Sequence, residues 1–165
     1  MIPTGAPTLE KQQFLDEVVE VLKKAFGQAI GEIKRANRET SVYVSREKIV
    51  EVARFLRDHE RFKFNFLSDL TGFDRGIDSS PRFEVIYHLL SLPNRVRLRL
   101  KVQVDEDDCT VPSVTEVWKT ANWHERETFD LFGIRFSGHP DLRKILTPED
   151  LEGHPLRKDF PLRGY

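Results

Sequence analysis

Residues 82–104 constrain the fold more than any other part of the chain. Phe83, Val85, Tyr87 and Leu89 alternate with Arg82, Glu84, Ile86 and His88. Further on, Val96, Leu98, Leu100, Val102 and Val104 alternate with Arg95, Arg97, Arg99, Lys101 and Gln103. A period of two places every apolar group on one side of a pleated strand, and Pro93-Asn94 between the runs supplies a turn. The sequence therefore predicts a β-hairpin with one face buried under helices and the other wet or covered by another protein. Arg97, Arg99 and Lys101 form a basic ribbon on that second face. RNA-reading sheets interleave aromatic residues with such cations, and this strand offers none. The ribbon is expected to pair with acidic residues on neighbouring strands or on a partner.

The flanking segments supply layers for that hairpin. Residues 9–26 place Phe14, Leu15, Val18, Val19, Val21, Leu22, Ala25 and Phe26 at helical spacing, with Thr8 as a cap and Gly27 as a stop. Residues 29–35 and 41–44 read as strands about the polar turn 36–40. Ser45 then caps a helix whose Ile49, Val52, Ala53 and Leu56 share a face. Phe62, Phe64 and Phe66 alternate with Lys63 and Asn65 as in a strand with one aromatic face. Its exit, residues 71–76, is glycine-rich but lacks the Lys-Ser/Thr of a phosphate loop. The expected class is α+β, a two-layer sandwich of a small mixed or antiparallel sheet of about five strands with helices packed on it.

Composition narrows the function classes. At 165 residues the chain suits one domain with an appendage. A net charge of -1, with 39% hydrophobic and 32% charged residues, gives no global attraction to nucleic acid or anionic lipid. No run approaches the ~20 apolar residues of a membrane span, and the first residues lack the pattern of an export signal, so a cytoplasmic location is expected. Cys109 is the only cysteine, which excludes an internal disulfide and cannot alone hold zinc or an iron-sulfur cluster. Its acidic neighbours Asp105, Glu106, Asp107 and Asp108 disfavour the thiolate.

Residues 121–146 carry the densest punctuation. Asn122 as N-cap, Glu125 at N3 and Gly133 as a left-handed C-cap predict about three helical turns. Trp123, Phe129 and Phe132 form a stripe to be buried, while Glu125, Arg126, Glu127 and Asp130 are expected to face outward or sideways. An extended piece at 134–136 and a turn at 138–141, forced by Pro140, follow. Upstream, Pro112 and a Ser113-x-x-Glu116 capping box predict a short helix carrying Val117 and Trp118, and Trp118 and Trp123 are expected in the core. Glu125, Glu127, Asp130 and His139 invite a metal or proton-transfer reading. The di-iron pattern requires Glu-x-x-His on two helices, and zinc requires further ligands near His139. The remaining reading is an ion-pair knot with Arg126, Arg135 and Arg143.

Residues 137–165 differ again. Pro140, Pro148, Pro155 and Pro161 preclude sheet, and a single helical turn is expected with Thr147 capping, Pro148 at N1, Asp150 at N3 and Gly153 closing. Leu142, Ile145, Leu146, Leu156, Phe160, Leu162 and Tyr165 are spaced as anchors, and His154 is expected to hydrogen-bond at an interface. The organisation expected is a flexible 1–8, an α+β domain 9–136 and an extended C-terminal arm 137–165 that becomes ordered on another subunit.

One combination has wider meaning. Glu125-Arg126-Glu127, two residues, Asp130-Leu131-Phe132, six residues, His139, three residues, Arg143, one residue, Ile145-Leu146 resembles the signature of the thirty-kilodalton subunit family of respiratory complex I, the NADH-quinone oxidoreductase. The likeness extends upstream through Trp118 and Trp123 and downstream through Thr147-Pro148-Glu149-Asp150. It also covers Gly153, His154, Pro155, Leu156, Arg157, Lys158, Asp159 and Phe160. Residues 64–74 agree more weakly, and the first forty only in layout. The resemblance implies a non-catalytic peripheral-arm subunit of proton-translocating NADH:quinone oxidoreductase, clamped on the large hydrogenase-like subunit that forms the quinone pocket and beside iron-sulfur subunits. It implies that FMN, iron-sulfur clusters and quinone belong to those partners, that no cofactor, metal or catalytic residue lies in this chain, and that the assembly sits on the cytoplasmic face of the bacterial inner membrane. The signature residues, including Phe132, Gly133, Pro140 and Leu146, become candidates for fixing the arm and holding the partner. Two alternatives remain: an equivalent subunit of a related membrane-bound hydrogenase or ferredoxin- or F420-linked complex, and an RNA-binding sheet.

Overall fold

A computed structural model describes residues 9–37 and 39–161. The expectations placed on residues 1–8, Leu162 and Tyr165 lie outside the described residues.

The expected hairpin is present as β4 (Phe83–Ser91) and β5 (Val96–Val104), paired antiparallel from Phe83↔Val104 to Ser91↔Val96. Every second residue is buried: Phe83, Val85, Tyr87 and Leu89 on one strand, Leu98, Leu100, Val102 and Val104 on the other. β3 (Phe66–Asp74) adds antiparallel to β4. On the other side β2 (Glu39–Val44) lies parallel to β5, and β1 (Ile30–Ala36) pairs antiparallel with β2. The mixed five-stranded sheet thus runs β1-β2-β5-β4-β3.

Helices cover its apolar face. α1 (Leu9–Phe26) buries Leu15, Val18, Val19 and Leu22, the i, i+3, i+4, i+7 set of its sequence. α2 (Ile49–Asp58) buries Ile49, Val52, Ala53 and Leu56 as expected. α3 (Ala121–Phe132) lies over β3, where Phe132 meets Gly72. A methyl group at Gly72 would stand 2.7 Å from Phe132 Cδ2 and 2.9 Å from its Cγ, near the fixed root of a buried ring. Gly72→Ala is therefore expected to lower stability by about 1–3 kcal/mol through overpacking, read as a lowered melting temperature. An unchanged melting curve would show that the ring can withdraw.

Several local expectations fail, each for a tertiary reason. Phe62 and Phe64 are fully buried, but the backbone there is a turn with Lys63 at φ 45, not a strand. His59 stacks on Phe62 with ring centroids 3.9 Å apart, and the Phe64 N–H returns to Leu56 O at 2.9 Å. β3 starts only at Phe66, which is exposed, and it includes Gly72, so part of the anticipated exit loop is strand. Ser45 makes no side-chain cap; it precedes a 3-10 turn, Arg46–Lys48, from which α2 continues. Residues 113–120 form turns rather than a helix, because Ser113 is engaged by Glu125 and not by Glu116. Residues 147–153 form no helical turn either, since the Thr147 hydroxyl is taken by Asp130.

Beyond the sheet, β6 (Thr110–Pro112) and β7 (Arg135–Ser137) form a short parallel ladder. It ties the segment after β5 to the segment after α3, so both ends of residues 113–134 are anchored before residues 138–161 begin.

Candidate functional site

α3 ends at Gly133, whose φ of 74 is the left-handed conformation expected there, and its N–H closes on Phe129 O at 2.8 Å. The absence of a side chain has a second use. A Cβ at Gly133 would lie 2.5 Å from the His154 ring and 2.7 Å from an Arg157 nitrogen, so the later chain crosses directly over the helix terminus.

The orientation of α3 reverses the expected one. Glu125 and Asp130 are fully buried and Arg126 nearly so, Glu127 is outward, and Trp123 is 62% exposed rather than in the core. The carboxylates face inward because backbone amides await them there. Asp130 Oδ2 accepts the N–H groups of Ile145, Leu146 and Thr147 at 3.0, 2.7 and 2.9 Å, and its Oδ1 accepts the Thr147 hydroxyl. Burial alone would raise its pKa, but these donors outweigh burial and hold it at about 2. Glu125 accepts the Val114 N–H at 2.7 Å and the Ser113 hydroxyl at 2.7 Å. Here two donors do not offset desolvation, and the carboxyl is pushed up to about 7.

Among the described residues Arg126 joins no carboxylate. Its guanidinium donates to the carbonyls of Arg143 and Lys144 at 3.3 and 3.4 Å and lies 5.1 Å from the Trp123 ring. Arg143 pairs with Asp141 at the surface, and Arg135 lies 6.0 Å from the Phe129 ring. Of the expected ion-pair knot, His139 Nε2 and Glu125 Oε2 approach to 4.0 Å, while Arg126 is engaged by backbone carbonyls. His139 Nε2 donates to Asn122 O at 3.0 Å while its Nδ1 accepts the Asp141 N–H at 3.0 Å, so the buried imidazole bridges α3 and the turn after β7. Asn122 contributes its carbonyl and is not the N-cap, which is Thr120.

Farther along, His154 Nδ1 donates to Asp130 O at 2.8 Å, Leu156 N–H to Leu131 O at 3.0 Å, and Arg157 Nε to Phe132 O at 2.6 Å. Residues 138–161 therefore lie on the last turn of α3, where helix carbonyls lack intrahelical partners. The arm expected from the sequence is bonded through polar groups to α3 of its own chain. Its apolar groups behave otherwise, with Leu146 61% and Leu156 51% exposed.

A second cluster joins residues that no sequence motif links. Arg82, 3% exposed, bonds Asp74 through Nε and Nη2 at 3.2 and 2.9 Å, Asp159 at 2.7 Å and Glu106 at 2.6 Å. Asp74 also receives the N–H of Lys158 at 2.9 Å and that of Gly76 at 2.9 Å. Despite burial, these donors keep its pKa at about 2. Asp159 and Lys158 thus tether the arm to β3 and β4. One signal was available: Asp74 shares the inward parity of Leu70 and Gly72, and an inward carboxylate requires a partner.

The arrangement fixes chain to chain. Among the described residues no group of three His, Cys, Asp or Glu side chains converges as a metal ion would require. Cys109 is partly covered, and burial raises its thiol to about 11, so it is a poor nucleophile. No helix among the described residues is long and apolar enough to cross a membrane.

Residues 42–165 match the family described as respiratory-chain NADH dehydrogenase, 30 Kd subunit. The chain belongs to that family. An NADH-quinone oxidoreductase subunit of Roseiflexus sp. (strain RS-1) is 57% identical over 145 residues, 88% of this chain and 83% of that one. The corresponding NADH-quinone oxidoreductase subunit of Geobacter sulfurreducens is 47% identical over 143 residues, 87% of each. A solved trypsin-resistant fragment of Nqo5 matches 74% of this chain and 97% of its own length, with 36% identity and a TM-score of 0.62. A chain of an archaeal respiratory membrane complex, the membrane-bound sulfane sulfur reductase, shares the fold at 22% identity and a TM-score of 0.72, over 93% of this chain and 86% of its own. In this member of the 30 Kd family, the acids Glu125 and Asp130 receive backbone N–H groups.

Glu125 gives this 30 Kd subunit a pH signature. Its folded pKa, about 7, lies above the ordinary value of 4.5, so the folded state binds the proton more tightly. Stability from this group is full below about pH 4.5 and falls as pH rises to about 7. Glu125→Gln keeps an acceptor for Val114 and carries no charge. It should raise stability at pH 8 by about 2 kcal/mol and leave it unchanged at pH 4, measured by urea denaturation at both values. Equal effects at the two pH values would contradict a desolvated carboxyl.

Proposed function

We propose that the chain is a non-catalytic subunit of the peripheral arm of a proton-translocating NADH:quinone oxidoreductase, bracing the large hydrogenase-like subunit that forms the quinone pocket. The observation that carries this reading is the fate of the family signature. Asp130, His139 and Arg126 make bonds that shape residues 138–161, Glu125 holds the 113–114 segment beside them, and all four side chains are spent on the chain itself. What they shape faces outward. Trp123, Leu146 and Leu156 remain exposed, with Trp123 and the 143–144 backbone meeting at the Arg126 guanidinium. Exposed large apolar groups on a segment with a polar footing are what an obligate partner covers.

On this reading FMN, the iron-sulfur clusters and quinone are held by neighbouring subunits and this chain holds none. The assembly is a hetero-oligomer on the cytoplasmic face of the inner membrane, and the chain reaches the membrane only through it. Purification of the tagged chain from mildly solubilised membranes tests the reading. A flavin- and NADH-binding subunit and a large hydrogenase-like subunit are expected to copurify with it. A nickel-ligating partner in place of the NADH-binding one would move the chain to a related hydrogenase complex, and a chain recovered alone would refute both.

A further inference from the structure

The sheet face opposite the helices is uncovered, and its side chains fall into rows set by the register. Phe66, Leu90 and Arg97 form the first row, and Asp69, His88, Arg99 and Ser41 the second. Thr71, Ile86, Lys101 and Tyr43 form the third. In the third row and just beyond it the charges are matched. Glu84 accepts Lys101 Nζ at 3.2 Å and the Tyr43 hydroxyl at 3.2 Å, and Lys101 lies 5.5 Å from the Tyr43 ring.

The first two rows differ. They border a cavity of about 210 Å³ lined by Glu39, Asp69, His88, Arg97 and Arg99, with the Leu89 and Leu98 segments between them. Arg99 gives Nη2 to Glu39, but its Nε is buried and has no acceptor among the described residues. The acids are already engaged, Glu39 by Arg99 and Asp69 by His124 of α3 at 3.4 Å. Neither the Arg97 guanidinium nor the His88 imidazole has an acceptor within hydrogen-bond reach among the described residues. Two donor groups without acceptors on one concavity, Arg97 and His88, with the positive charge of Arg99 in the same lining, are complementary to an anion.

The surroundings select the kind of anion. Glu39 and Asp69 line the same cavity and would repel a phosphodiester chain or a dianion more strongly than a single carboxylate. The cavity is too small for a nucleotide, and Phe66, 40% exposed, shares the first row with Arg97. We propose that this cavity receives the carboxylate of an Asp or Glu side chain from a partner polypeptide lying across the open face, held by Arg97 and His88. This deepens the assembly reading above, on which it rests, by giving the subunit a second docking surface on the side of the sheet away from the arm.

The test is made in the purified assembly. Arg97→Lys places an amine where zero-length carbodiimide coupling can join it to the seated carboxylate, and mass spectrometry then reads the link. The expected result is a bond between position 97 and an Asp or Glu of a partner subunit. Arg97→Glu sets like charges face to face and should lower the amount of this chain retained in competition with wild type by at least about tenfold. Because Arg97 is exposed and unpaired, the melting temperature of the free variant should stay at the wild-type value. A link only to Glu39 or Asp69 of the same chain, or wild-type retention of Arg97→Glu, would overturn the proposal while leaving the assembly reading intact. So would a salt-sensitive gel shift with single-stranded RNA that Arg97→Glu abolishes. Recovery of the wild-type chain alone would instead remove the assembly reading and this proposal with it.

Discussion

Arg82→Ala should destabilise the protein by about 3–5 kcal/mol at neutral pH, the usual consequence of deleting one member of a buried ion pair and stranding the other. The partner left behind is Asp74, which is 3% exposed and ionised down to about pH 2. Its remaining donors, the Gly76 and Lys158 amides, cannot replace a guanidinium held through two nitrogens. Asp159 and Glu106 are half-exposed, so their loss of Arg82 adds little directly. It does release residues 158–159 from β3 and β4. The measurement is chemical denaturation of wild type, Arg82→Ala, Asp74→Asn and the double variant. If the two side chains act as one pair, the double variant is less destabilised than the sum of the singles. Strict additivity would mean that Arg82 stabilises through its other contacts, such as the Phe83 ring 4.9 Å away.

The acid limb should follow the same groups. Asp74 and Asp130 have folded pKa values of about 2, below the ordinary 3.8, so their stabilisation is complete above about pH 4 and is lost as pH falls toward 2. Glu125 has the opposite sign and erodes stability between about pH 4.5 and 7. The combined contribution of these three groups is greatest near pH 4 to 5.

How much of this was legible depended on whether a residue's partner was near in sequence. The β4–β5 hairpin was, because Tyr87 and Leu100 obey a local period of two and the register follows from the turn. Gly133 was, since a left-handed terminus calls for glycine whatever surrounds it. Glu125 and Asp130 were recognised as special yet turned the wrong way, because amphipathic reasoning sends charges outward. The amides that draw them in belong to Val114 and to residues 145–147, in segments without periodicity. Trp123 erred in the complementary sense, a large apolar group exposed because Arg126 lies against its ring. Arg82 and Asp159, 77 positions apart, left no local trace at all. Likewise the Phe73 and Tyr43 rings share the open face with Lys101, a fact invisible from β5 alone because they arrive on β3 and β2.

The other large effect falls on Asp130, and its character should differ from that of Arg82. Asp130→Ala removes the acceptor for three consecutive amides and one hydroxyl, so residues 145–147 lose the bonds that bend them over α3. Hydrogen bonds to an ionised group contribute about 1.5–3 kcal/mol each, but the released amides lie near the surface and regain water, so about 3–4 kcal/mol in total is expected. Because the sheet and the α1–α2 layer share nothing with this bond set, the loss should appear first as local opening. Amide exchange at Ile145, Leu146 and Thr147 should accelerate by more than about a hundredfold, and protease should cut within 138–161 before the rest of the domain unfolds. Asp130→Asn discriminates the mechanism: its single carbonyl oxygen can serve some of these amides, while its NH2 opposes the Thr147 hydroxyl proton unless that hydroxyl turns. The asparagine variant should fall between alanine and wild type at neutral pH and move toward wild type as pH falls to about 2, where the native carboxylate becomes half protonated. Exchange rates at 145–147 that match wild type in Asp130→Ala would mean that the bonds of His154, Leu156 and Arg157 to the end of α3 suffice to hold the arm. Asp130 would then be excluded as the element that sets its course.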